Sequence, residues 1–199
     1  MPKIAAATVA EHRENVLAAL VDASERILRA GDPLTAGVVS SAAGIARNSI
    51  YRYVESVDDL RVLVLERYLP GWERAVTTAL APLDDPGDRV VEWVRVNIRQ
   101  AHLTGHGWFI TMAREASSSA AMADLAERAH NIMRGPLGGA WMELTGDAAE
   151  ARMQASLTLG LLGAAFQQLD AGFALDDVTR ATADATRAIV DAARRPTAD

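Results

Sequence analysis

The chain has 199 residues, half of them hydrophobic, a formal net charge of −6 and no cysteine. That length buries a sizeable core, as one large or two small domains. The missing cysteine removes disulfides, thiolate metal sites and cysteine nucleophiles. No run of about 18 uncharged apolar residues is present to span a membrane, and no basic stretch followed by an apolar one opens the chain; the expectation is a cytoplasmic protein without a membrane partner. Alanine, leucine and valine dominate, and no long alternation of period two stands out, which predicts an all-α fold.

The first helix is predicted from a Thr8–Glu11 capping box to about Ala30. It has an inward stripe of Val16, Leu17, Leu20, Val21, Ser24, Ile27 and Leu28 at spacings of three and four. His12 and Arg13 fall outside the stripe and read as solvated surface rather than as contacts to a nucleic-acid backbone. Gly31-Asp32-Pro33 stops the helix. Thr35 then caps a short helix, whose small residues Ser40 to Ala43 allow close approach and which Gly44 ends in a left-handed turn. A second short helix, about Arg47 to Val54, follows at the spacing of a helix-turn-helix. Ile45, Ile50 and Val54 are expected inside, and Arg47, Asn48, Ser49, Tyr51 and Arg52 outside. Two guanidinium forks, an amide, a hydroxyl and a phenol are the groups that read base edges and hold phosphates, and such a helix fits a major groove. Ser56 and Asp59 form a second capping box, opening a connecting helix that Pro70-Gly71 is expected to kink or end.

The run A-A-G-I-A-R-N-S-I-Y-R-Y-V-E-S-V-D-D-L, residues 42–60, resembles the signature of TetR-family transcriptional regulators. Three departures from it matter: Ile45-Ala46 stands for Val-Ser, Asn48 for a common Gly, and Val57 for the lysine that often holds a phosphate. The motif covers about the first third of the chain; the remainder agrees in length and helical pattern. The resemblance implies an N-terminal three-helix DNA-binding domain over 1–55. A larger helical domain for ligand binding and dimerisation would then cover 56–199, with its connecting helix from about 56. Thr35, Arg47, Asn48, Ser49, Tyr51, Arg52, Tyr53 and Ser56 become the candidate DNA contacts. The partners implied are double-stranded DNA with a palindromic operator, a small and mostly apolar effector, and a second copy of the chain. No cofactor or metal is implied.

The charge is uneven. Eight Lys and Arg stand against nine Asp and Glu through Leu69, and 12 against 17 beyond it. Since the N-terminal part is not basic, DNA affinity must rest on where its arginines sit, and non-specific binding should be modest.

Past the connecting helix, Asp85-Pro86 signals a helix start, with Asp as cap and Pro in the first turn; the helix runs to about His102. Ser117 to Ser119 are expected to cap a helix that Pro136-Leu137-Gly138-Gly139 interrupts before Trp141. Asp147 with Glu150 opens the next, to Leu169, and Asp176 is read as the cap of the last. The segment L-T-L-G-L-L-G-A-A-F (157–166) is apolar nearly all round, so it requires burial on more than one side. Leu159, Gly160, Gly163 and Ala164, with Val178, Ala181, Ala185 and Ile189 of the last helix, form the candidate dimer seam. Large apolar side chains near a few polar ones give the candidate effector site: Trp93, Asn97, His102, Trp108, Met112, His130, Met133, Trp141, Phe166 and Gln167. No phosphate-cradling loop, G-x-S-x-G elbow or H-E-x-x-H motif is present, so the chain is not expected to be an enzyme. The alternatives are an apolar-ligand carrier without specific DNA binding, and a helical enzyme whose residues cannot be named.

Overall fold

The computed structural model describes residues 9–105 and 120–194. These form helices α1 (Val9–Arg29), α2 (Ala36–Ala42), a short 3-10 helix (Arg47–Arg52), α3 (Val57–Leu80), α4 (Pro86–Thr104), α5 (Ala120–Thr145), α6 (Ala148–Asp170) and α7 (Leu175–Ala193). The fold is all-α. Its described residues divide into two compact units, 9–67 with 120–125, and 68–105 with 126–194. The division therefore falls inside α3, between Arg67 and Tyr68, nearly half a helix later than the boundary expected at Ser56.

The first unit is built on α1. Leu20, Ala23 and Ile27 lie inward with Leu34, Ala36, Val39, Ile50, Val54 and Leu60 in one apolar cluster. Ser24, at the same inward face, spends its hydroxyl on the Leu20 carbonyl at 2.7 Å, so burial leaves no polar atom unpaired. Arg67 near the unit's other edge reaches Asp22 at 2.7 Å and Glu25 at 3.1 Å, pinning α3 to α1.

The second unit packs α4 against α7, with α6 touching both. Trp93, Ile98, Leu137, Trp141 and Leu162 are its largest fully buried side chains. The α4 start forms as expected: Asp85 accepts the Asp88 N–H at 2.8 Å and Pro86 takes the first turn. Asp85 also pairs with Arg194 of α7, and Asp88 with Arg187 at 2.7 Å. Between these two ion pairs α7 passes so close that a Cβ on Gly87 would lie 2.5 Å from Val190 Cγ1 and from the Arg194 guanidinium. The crossing is possible because residue 87 has no side chain.

Three sequence expectations are corrected. Pro70 lies inside α3 and Pro136 inside α5, and both helices run on through them. Each ring removes one backbone donor, but both prolines are exposed while Trp72, Val76, Leu137 and Trp141 beside them are buried. Core packing outweighs one weakened turn. Asp176 is not the cap of α7: Ala174 occupies that position without a side-chain hydrogen bond, and Asp176 and Asp177 sit in the first turn, favourable to the dipole. The Thr8 half of the first capping box, and Ser117 to Ser119, lie outside the described residues.

Two outcomes follow for the α4–α7 crossing. Gly87→Ala should destabilise the fold by ~1–3 kcal/mol through overpacking, read as a lowered midpoint in urea. The Asp88 N–H, aided by Arg194, holds the Asp85 carboxyl below the usual carboxylate range. Its contribution is then complete above the unfolded value of about 4 and lost as pH falls through the lower folded value. Asp85→Asn should flatten the stability profile below about pH 4 and leave its slope near neutrality unchanged.

Candidate functional site

The turn that presents the candidate DNA contacts is fixed at both ends by side chains and caps. Thr35 caps α2, its Oγ1 accepting the Val38 N–H at 3.3 Å. At the other end the Ile45 N–H reaches the Ser40 carbonyl at 2.9 Å and the Gly44 N–H reaches Ser41 at 3.2 Å, a doubly bonded stop that needs the left-handed Gly44 (φ 72°). Ser40 donates its own hydroxyl back to the Ala36 carbonyl. α2 is thereby held as a rigid strut against α1, and the 3-10 helix leaves it at a set angle.

The second short helix is a 3-10 helix and ends at Arg52, two residues before the expected Val54. The tighter winding has a consequence for its faces. With three residues per turn, side chains three apart eclipse, so Arg47 and Ile50 share one column, Asn48 and Tyr51 a second, and Ser49 and Arg52 a third. Ile50 is 0% exposed, which turns the other two columns outward. Tyr51 is 56% exposed, and Arg47, Asn48 and Arg52 are exposed with it. The stem of Arg47 runs alongside Gly37 of α2, its Cδ 4.0 Å from where a Cβ would stand there.

Elsewhere Arg29, Arg61, Arg67, Arg89, Arg95, Arg99, Arg180, Arg187 and Arg194 each meet a carboxylate, while Arg13, Arg26, Arg74, Arg134 and Arg152 meet none among the described residues. Arg47 and Arg52 meet none among the described residues, and the side chains of Asn48, Ser49 and Tyr51 have no hydrogen-bond partner there. Two cations, an amide and a phenol therefore face out from two turns of backbone, with the half-buried Ser49 hydroxyl beside them.

The remaining candidates have internal partners. Ser56 accepts the Asp59 N–H at 3.2 Å and donates to Asp59 Oδ1 at 3.0 Å, while Asp59 Oδ2 takes the N–H groups of Glu55 and Ser56 at 2.9 Å each. The capping box is real, and the Ser56 hydroxyl is committed to it. Tyr53 is half-buried, its ring under the Arg13 guanidinium at 5.7 Å from the centroid. Arg13, read from the sequence as free surface, also donates to the Arg52 carbonyl at 2.8 Å. No periodicity in the sequence signals this contact, because its two ends are 39 positions apart.

The candidate effector residues separate into three groups. Trp93, Asn97 and Trp141 are fully buried with their polar atoms paired: Trp93 Nε1 donates to the Met133 carbonyl at 2.8 Å, Asn97 Nδ2 to the Trp93 carbonyl at 2.8 Å, and Trp141 Nε1 to Thr158 Oγ1 at 3.1 Å. Asn97 Oδ1 accepts Trp72 Nε1 at 2.8 Å, a partner the sequence reading missed. Phe166 and Met133 join the same apolar cluster. His102, His130 and Gln167 are exposed and stand outside it. Trp108 and Met112 lie outside the described residues. The expected gathering of apolar and polar groups into one lining is thus corrected for His102, His130 and Gln167: the helices turn these three to the surface, and the buried amide serves the core.

The candidate dimer residues also divide. The buried face of α7 is Val178, Ala183, Thr186 and Val190, turned to its own chain. Of the expected seam, Val178 is buried against its own chain, Ala181 is exposed, and Ala185 and Ile189 are half-buried. Ala181 and Ala185 instead line an open groove of about 410 Å3 with Leu161, Ala164, Gln168 and Phe173. On α6, Met153 (54% exposed), Leu157 (51% exposed), Gly160 and Ala164 form an uncovered apolar stripe. Leu159 and Gly163 are half-buried beside it. Within one chain, then, the apolar centre of α6 is covered on one side.

Comparison with known proteins gives relatives of one kind. No family model matches the chain. Over 82 residues it is 28% identical to an HTH-type transcriptional regulator of Mycobacterium tuberculosis, Rv1255c, a match spanning 40% of this chain and 41% of that protein. Among solved structures, the fatty acid degradation regulator FadR from Bacillus halodurans superposes with a TM-score of 0.62 at 14% identity, covering 87% of this chain and 97% of that one. The transcriptional regulator FadR from Bacillus subtilis, solved with stearoyl-CoA, gives 0.62 at 11% identity over 87% and 96%. RolR in complex with resorcinol gives 0.58 at 22% identity over 96% and 98%. These superpositions establish a shared all-helical fold.

Asn97→Ala removes the Oδ1 that accepts the Trp72 Nε1–H and the amide that donates to the Trp93 carbonyl. It should lower global stability by ~1–3 kcal/mol, measured by denaturant unfolding without any added ligand.

Proposed function

We propose that the chain is a ligand-responsive transcriptional regulator of the TetR type, most simply a repressor acting in the cytoplasm. It binds a palindromic operator as a homodimer and is released by a small, mostly apolar effector. The observation that carries this reading is the state of the 3-10 helix: Arg47, Asn48, Tyr51 and Arg52 face outward without a hydrogen-bond or carboxylate partner for their side chains among the described residues. Leaving two guanidinium groups unneutralised on a rigidly capped turn has no benefit for folding and suits phosphates and base edges. The M. tuberculosis regulator and the A-A-G-I-A-R-N-S-I-Y-R-Y run support the same reading. Thr35 and Ser56 contribute by holding helix ends, with Thr35 alone of the two retaining an exposed position toward a phosphate.

The uncovered stripe of Met153, Leu157, Gly160 and Ala164, with the groove beside it, supports a second copy of the chain as its cover. Burying it satisfies the second side that the apolar centre of α6 requires. The second unit is the effector domain in this reading. Trp93, Asn97 and Trp141 are saturated by their own neighbours, so an effector engaging them must displace those partners. That is the differential interaction needed to favour one of two conformations. Resorcinol on RolR and stearoyl-CoA on FadR set the chemical range: an apolar body carrying a polar end.

Selection of bound duplexes from a random pool should enrich an imperfect palindrome with half-sites about one helical turn apart; recovery of unenriched sequence at low salt overturns the reading. Arg47→Ala should then cost ~1–3 kcal/mol on the enriched site and little on random DNA. Leu157→Glu should convert a dimeric mass in light scattering to a monomeric one and abolish operator binding at nanomolar protein.

A further inference from the structure

Resting on the DNA-reading assignment above, we propose that Arg13 of α1 is a positioning residue for the 3-10 helix, locking its angle without itself touching DNA. The helix is a poor structure to leave unsupported. It has six residues, the weaker hydrogen-bond geometry of 3-10 winding, and Ala46 at its start, which supplies no side-chain cap. Ile50 anchors it from below, but one buried side chain near the middle leaves both ends free to rock. At the C-terminal end the Tyr53 and Val54 N–H groups both turn back to the Ile50 carbonyl, at 2.9 and 3.2 Å. The last carbonyls of the helix thus need donors from elsewhere.

Arg13 supplies one. Its Nη1 donates to the Arg52 carbonyl at 2.8 Å, placing a cation at the negative end of the helix. The same guanidinium sits 5.7 Å from the Tyr53 ring centroid, so one planar group ties the last helical residue and the one after it to α1. Both contacts require the geometry of arginine: a directed N–H to the carbonyl and a flat, weakly hydrated face for the ring. α1 is the long, well-packed helix of this unit, which makes it the rigid side of the clamp. Arg52, whose carbonyl is held, is the outward-facing cation at the far end of the reading face. Where its side chain starts is therefore set by Arg13.

A direct phosphate contact by Arg13 would predict something different, and the two are separable. The variants are Arg13→Ala and Arg13→Lys in the full chain, compared with the parent on the enriched duplex and on random duplex across a salt series. Backbone amide hydrogen exchange is followed on the free protein. A positioning role gives roughly tenfold weaker binding to the enriched site for Arg13→Ala, on the scale of one exposed charged hydrogen bond with its ring contact. Binding to random DNA and the salt slope stay unchanged, and Arg13→Lys does not rescue. In the free protein the Tyr53 and Val54 amides exchange faster while Leu20 to Ile27 keep their protection. Rescue by lysine, or a salt slope reduced by about one, overturns positioning in favour of a phosphate contact. Unchanged exchange at Tyr53 and Val54 overturns the clamp whatever the DNA data show. Faster exchange in a chain whose parent enriches no sequence overturns the DNA-reading assignment, and the positioning role with it, while leaving the clamp as a purely structural contact.

Discussion

Ile50 is the residue on which the reading face depends. It is fully buried among Leu20, Ile27, Val39 and Leu60, and in a 3-10 helix one inward column fixes the other two. Because residues three apart eclipse, pinning Ile50 sends Asn48 with Tyr51, and Ser49 with Arg52, to the outside together. An α-helix of the same sequence would have spread these side chains over a wider arc. The apolar cluster beneath the turn thus does more than hold α2 and the 3-10 helix in place: it turns Asn48, Tyr51 and Arg52 to solvent, while Arg47, in the column of Ile50, is exposed as the first residue of the helix.

The caps around that turn share a purpose. Thr35 at the start of α2, Gly44 at its end and the Ser56–Asp59 box at the start of α3 satisfy backbone groups that would otherwise need water. Each also removes a soft dihedral from the path between α1 and the reading face. Under the proposed function, a surface meeting a fixed lattice of phosphates would gain from such stiffness, since ordering it on binding would cost affinity. The charge pattern agrees. The chain is acidic overall, yet no carboxylate among the described residues pairs with Arg47 or Arg52.

The second unit has the opposite character. Its core carries a run of matched hydrogen bonds: Trp72 to Asn97, Asn97 to Trp93, Trp93 to the Met133 carbonyl, Trp141 to Thr158. These bonds link α3, α4, α5 and α6 through the core. A buried network of this kind is costly to break in part, so a ligand that enters it must exchange bonds rather than simply fill space. The uncovered stripe on α6 is the counterpart on the surface, apolar area left over once α4 and α7 have packed on the other side.

The sequence alone determined the all-helical class, the order of the helices, most of their caps and the identity of the outward residues on the reading turn. These are local matters: an Asp, Ser or Thr beside a helix start bonds to an N–H two or three residues away, and a period of three to four marks a buried face wherever the chain goes. It misjudged Pro70 and Pro136, because a proline's local cost was weighed without the core contacts of Trp72, Val76, Leu137 and Trp141 that carry the helices through. It grouped His102, His130 and Gln167 with the buried tryptophans because proximity in sequence does not fix which way a helix is rotated. Only tertiary structure decided that rotation, the inward face of α7, and the partners of Arg13 and Asn97. Contacts between positions 25 or 39 residues apart depend on how helices are docked, and docking is set by the summed packing of whole faces, which no short motif encodes.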